Sequence, residues 1–83
     1  MVEQTQDLAG LVDSVVRPLV NHKEDLEITS HDEEGTTIIE ISVNEEDAGK
    51  VIGRQGRVIK SIRTLARAAA SRNGMQVEVE IID

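Results

Sequence analysis

The chain has 83 residues and a net charge of −7 from 9 Lys/Arg and 16 Asp/Glu, which suits one small domain with a thin core. It contains no cysteine, which excludes disulfides and thiolate metal sites, and no Phe, Tyr or Trp, which argues against readers that stack bases on aromatic rings, such as the RRM sheet and the OB fold. No apolar run approaches the roughly 20 residues of a membrane helix, and the acidic, polar start MVEQTQDLAG is no secretory signal, so the expectation is one soluble cytoplasmic domain over residues 1–83.

In chain order, Leu8, Leu11, Val12, Val15, Val16 and Leu19 recur at helical spacing and predict a helix over about 7–20. Pro18 lies late in that run and should kink it or mark its last turn, because it has no N–H to donate. LEITSH, residues 26–31, alternates like a half-buried strand, and DEEG is a polar turn ending at Gly35. TTIIEISV, residues 36–43, is a stronger, β-branched strand with Ile39, Ile41 and Val43 facing the core, and the two strands should form a hairpin. Asn44 is placed to cap a short helix whose first turn, Glu45 to Asp47, suits the positive end of a helix dipole. Gly53 ends that helix. A longer one follows over 57–72, with Val58, Ile59, Ile62, Leu65, Ala66 and Ala69 on one arc and Arg57, Lys60, Arg63 and Arg67 opposite. RNG at 72–74 stops it. MQVEVEII, residues 75–82, alternates again, with Met75, Val77, Val79 and Ile81 on one side. The expected fold is α+β, in the order α-β-β-α-α-β, with a three-stranded, mainly antiparallel sheet and helices packed on one face.

Charge is segregated along the chain. Residues 50–72 hold Lys50, Arg54, Arg57, Lys60, Arg63, Arg67 and Arg72 and no acid, so the segment is +7 while the other 60 residues carry −14. The net charge alone would exclude a polyanion partner; this distribution does not.

Within the basic segment lies KVIGRQGRVIKSI, residues 50–62. A G-x-x-G pair alone means little, since at ~7% glycine a chain of ~80 residues holds about 0.4 by chance. Here it joins the end of one helix to the start of the next, where unpaired backbone N–H groups and the dipole favour an anion. Gly53 and Gly56 allow a phosphate to approach the backbone, Arg54 and Arg57 add charge, Gln55 adds an amide, and Ile52 and Val58 could floor an apolar groove. The bland alternative is a tight helix–helix turn with no ligand, and a basic helix face such as Lys60, Arg63 and Arg67 is more often simply solvated. His22 and His31 have no metal-ligand spacing, and the acids at 45–47 are explained more simply by the positive end of a helix dipole than by a metal site, so no metal or cofactor is expected. No Ser/His/Asp or Cys/His arrangement is present, and the loop lacks the Lys-Ser/Thr of a phosphate-hydrolysing motif, so no enzyme and no small-molecule substrate are expected.

VIGRQGRVIKSI resembles the V/I-I-G-x-x-G-x-x-I-x-x-I core of KH domains, and the element order is similar to the type II KH topology. The lone domain and RPLVNHKEDLEI ahead of it resemble the small bacterial KhpA (YlqC-like) family of RNA-binding proteins. That resemblance implies a loop, Gly53, Arg54, Gln55 and Gly56, that clamps the backbone of about four unpaired nucleotides. It implies a groove bounded by Gly49, Ile52, Val58 and the strand holding Ile39 and Ile41, with Arg57 and Lys60 nearby. It further implies a homodimer or a pairing with a larger KH-containing RNA-binding protein (KhpB/Jag-like), and a role as RNA chaperone or post-transcriptional regulator. The competing expectation is a protein-interaction module that keeps the KH shape, with RNA bound weakly or only alongside a partner.

Overall fold

The computed structural model describes residues 4–82, and side chains from Leu8 onward. Helix α1 (Gln4–Val16) passes into a 3-10 turn, Arg17–Leu19, at Pro18, and a second 3-10 turn, Lys23–Asp25, leads to strand β1 (Glu27–Glu33). Strand β2 (Thr36–Ser42), helix α2 (Glu45–Ile52), helix α3 (Arg57–Ser71) and strand β3 (Gln76–Ile82) complete the α-β-β-α-α-β order. No helix among the described residues is long and apolar enough to cross a membrane.

β1 and β2 form the expected hairpin. Glu33 pairs with Thr36, so the loop is two residues long. Glu34 and Gly35 both have positive φ, 52° and 86°, which a type I′ turn needs if its twist is to match the strands. β3 returns beside β2 as its parallel neighbour, Thr36 opposite Gln76 and Ile41 opposite Ile81. The sheet is therefore mixed, in the order β1-β2-β3, with one antiparallel and one parallel ladder. A parallel return requires a long crossover, and the α2–loop–α3 segment supplies it. That crossover places both loop helices on one face.

The core under the helices is aliphatic. α1 contributes Leu8, Val12 and Val16, one every four residues, and Val20 continues the row beyond its end. α3 contributes Ile59, Ile62, Ala66 and Ala70, β2 contributes Ile39 and Ile41, β3 contributes Val77 and Val79, and α2 contributes Val51. Each fully buried Val, Leu or Ile is worth about 1.5–3 kcal/mol, and small Ala66 and Ala70 let α1 and α3 pack closely.

The sheet is mixed where a mainly antiparallel one is expected, because β3 returns through the helical crossover, and two further expectations shift. β1 starts one residue later than expected, runs to Glu33 and is largely exposed, with only Ile28 half-buried. It is an edge strand, so its alternation fills only the near corner of the core. Leu65, expected on the buried arc of α3, is 47% exposed. The helix seats on Ile59, Ile62, Ala66 and Ala70, and Leu65 lies past the rim of that seat.

Candidate nucleic-acid interface

Asn44 caps α2 as expected, its Oδ1 accepting from Glu46 N at 2.8 Å. Two turns later Gly53 ends the helix with φ +79°. A Cβ at Gly53 would come within 2.8 Å of Val58 N and Val58 Cβ, so only glycine allows the chain to double back here. The loop is one 3-10 turn, Arg54–Gly56, in which Gln55 takes left-handed φ/ψ of 58° and 24° and Gly56 has φ +74°. A non-glycine residue in that region costs about 1–2 kcal/mol. Gly56 N donates to Gly53 O at 3.1 Å, closing the turn.

Arg57 reaches back across the turn, its Nη2 donating to Gln55 Oε1 at 3.2 Å. Arg54, Gln55 and Arg57 are all exposed, so two guanidinium groups and an amide flank the two glycines. No side chain caps the start of α3, which leaves backbone donors of its first turn facing the loop. Gly49 and Ile52 are three residues apart, one turn of α2. Both are exposed, and Val58 is half-buried beside the loop. The space off Gly49 is open, with nothing within 4 Å of an added Cβ.

From the loop, the exposed Lys60, the half-buried Arg63 and the exposed Arg67 follow one flank of α3 beside β3. Arg63 Nε donates to Val79 O at 3.1 Å, so this flank overhangs the unpaired edge of β3. At its far end lies an open cleft of about 310 Å³ lined by Thr36, Arg67, Met75, Gln76, Val77 and Glu78. The strand facing the loop helices' open flank is thus β3. Ile39 and Ile41, expected to border the groove, are 0% exposed. β2 is the central strand, paired on both sides, and its inward side chains are core. Gln76 and Glu78 carry no local signal of this position, because only the sheet order makes β3 an edge.

The opposite, open face of the sheet has the other sign. The strand register puts Glu27 and Glu33 of β1, Glu40 of β2, and Glu78 and Glu80 of β3 on that face, and no strand residue is Lys or Arg.

Asp47, expected only as a first-turn acid suited to the helix dipole, is fully buried. Burial pushes its carboxyl up, but donation from Asn21 N and His22 N, with Lys50 alongside, outweighs that and lowers it to about 2. Asp47 and Val51 are four residues apart, so the sequence did carry a signal that this acid shares the buried stripe. His22, Glu24 and Asp25 place one donor atom each within 4.8 Å of one another. These groups already have partners: His22 Nε2 lies 2.8 Å from Glu46 Oε1, and Asp25 accepts from Asn44 Nδ2 at 3.0 Å. The bond to Glu46 is the main reason the His22 imidazole is raised above its usual pKa.

The fold is similar to part of Era. The chain superposes on Era of Aquifex aeolicus bound to GDP and AlF4 with a TM-score of 0.64 at 18% identity, 99% of this chain against 33% of that one. Against Era in complex with MgGDPNP and nucleotides 1506–1542 of 16S ribosomal RNA the TM-score is 0.65, with 98% and 32% covered. Proteins named "RNA-binding protein KhpA" are similar over most of the sequence. That of Listeria monocytogenes is 45% identical over 73 residues, 88% of this chain and 96% of its own. That of Bacillus subtilis is 38% identical over 78 residues, covering 94% and 96%. Residues 9–81 match the model described as "KhpA/KhpB, KH domain", and the chain belongs to that family.

Proposed function

We propose that this chain is a non-catalytic RNA-binding protein whose Gly53–Gly56 loop clamps the backbone of a single strand of about four nucleotides. The observation that carries the reading is the loop itself: two glycines with positive φ, flanked by the exposed Arg54, Gln55 and Arg57, at the uncapped start of α3. Gly49, Ile52 and Val58 give the helix side of an adjoining groove, and Lys60, Arg63 and Arg67 continue positive charge beside β3. From Gly56 to Arg67 is 11 helical steps, about 16 Å at 1.5 Å per residue, a track suited to a few nucleotides. The names of the KhpA relatives support RNA as the polyanion.

One domain gripping a few phosphates on a net acidic body binds weakly. Useful affinity then comes from a second module at high effective concentration, either another copy or a larger KhpB/Jag-like partner. Pairing with KhpB is in keeping with a family that groups KhpA with KhpB. A cytoplasmic RNA chaperone or post-transcriptional regulator is the role this reading implies. Sedimentation as a strict monomer, with no partner in pull-downs, would remove the pairing from it.

The test is anisotropy of end-labelled, random-sequence single-stranded RNA at several salt concentrations. Wild type should bind, with log K falling by about 0.7 per neutralised phosphate for each decade of salt. Arg54→Asp with Gln55→Asp, folded by circular dichroism, should weaken binding on the order of 100-fold, because a guanidinium and an amide that would donate to phosphate both become carboxylates. Equal binding by both proteins removes the loop as the site. Absence of binding by wild type favours a protein-interaction module.

A further inference from the structure

We infer that Asp47 is a positioning residue for the glycine loop, acting through α2; the inference rests on the RNA reading above. α2 has eight residues, too few to hold its place by helical stability alone. It has two fully buried side chains, Val51 and Asp47. Val51 seats it on the core. Asp47, one turn earlier, turns away from its own helix and binds the chain 25 and 26 residues upstream, its Oδ1 accepting from Asn21 N at 3.0 Å and its Oδ2 from His22 N at 2.9 Å. Lys50 Nζ donates to Oδ1 at 3.2 Å.

The surrounding ties run to the same segment, His22 to Glu46 and Asn44 to Asp25. They are exposed and individually weak. The Asp47 carboxylate is dry, charged and held by two backbone donors, and a buried charge is the group for which loss of a partner costs most.

Leverage links this anchor to the loop. Asp47 lies six residues before Gly53, about 9 Å at 1.5 Å per residue. A tilt of α2 by ~10° about that end moves the loop by roughly 1.6 Å, while a working site needs its groups held within ≈ 0.5 Å. Gly53 lies directly against Val58, so a tilt of α2 shifts the loop relative to the start of α3. Asp47 therefore sets where Arg54 and Gln55 stand relative to the start of α3 without touching RNA itself.

The test is the same RNA titration, across salt, with wild type, Asp47→Asn, Asp47→Glu and the core control Ile62→Val, each confirmed folded at the assay temperature by circular dichroism. Asn loses the charge and one acceptor; Glu keeps both and pushes α2 outward by one methylene. Both should weaken binding on the order of tenfold and lower the salt slope by about 0.7 for each phosphate that is no longer neutralised. Ile62→Val should leave affinity and slope unchanged. A purely structural role for Asp47 would reduce the folded fraction and leave the slope of the folded protein intact. If Asp47→Asn melts below the assay temperature, Asp47→Glu decides alone. Wild-type affinity and slope in the folded Asp47 variants overturn the inference and leave the RNA reading standing. Failure of wild type to bind overturns both.

Discussion

The loop–α3 side and the open face of the sheet carry charge of opposite sign, and they meet along the β3 edge, where Arg67 and Glu78 line one cleft. On one side Arg54, Arg57, Lys60, Arg63 and Arg67 surround or extend the loop; on the other stand Glu27, Glu33, Glu40, Glu78 and Glu80. Arg54 and Arg57 flank the glycines directly, whereas the glutamates lie on the strands, and exposed charges farther apart than the ≈ 8 Å Debye length at physiological salt are largely screened from one another. Net charge is a poor guide to the partner of such a protein, and the acidic face biases an approaching polyanion towards one side.

Breaking the loop should have the largest effect. Gly53→Ala forces a Cβ against Val58 at φ +79°, combining backbone strain with overpacking, and should cost about 2–4 kcal/mol in a urea melt and abolish RNA binding. Exchanging the signs of the two faces is the next test. Arg63→Glu with Arg67→Glu should weaken RNA on the order of tenfold and flatten the salt slope. Glu27→Lys with Glu33→Lys, on the far face, should strengthen it by no more than about threefold, all of it lost at high salt.

A smaller effect is expected from pH. The Asp47 carboxyl falls from 3.8 to about 2 on folding, so its stabilisation is intact above pH ~4 and drains away as pH falls from there through 2. Melting temperature against pH should show this loss, and Asp47→Asn should lack it. The smallest effect belongs to a site outside both faces: Leu65→Ser, at a position 47% exposed, should change stability by no more than about 0.5 kcal/mol.

The elements were legible because their signals are local. The buried rows of α1 and α3 follow helical spacing, Asn44 caps where its type and place suggest, and the alternation of β2 predicts its buried Ile39 and Ile41. The loop was legible too, since glycine spacing and local charge need no neighbours to be read. Local pattern misleads where a distant partner decides. LEITSH alternates, yet β1 lies at an edge with little above it. Leu65 fits the helical wheel, yet no neighbour covers it. Ile39 and Ile41 lie on a strand that pairing on both sides makes central, so their side chains are core and not groove.

The α-β-β-α-α-β order, the hairpin, the aliphatic faces and the basic glycine loop are encoded locally, each within about ten residues. Tertiary structure alone decided that β3 runs parallel to β2, pairing Thr36 with Gln76, and becomes the edge beside α3. It alone made Asp47 a buried anchor for residues 21 and 22 rather than a solvated acid in a helix's first turn. Both outcomes depend on pairings 25 to 40 residues apart, and burial and strand order are properties of those pairings, not of the residues that make them.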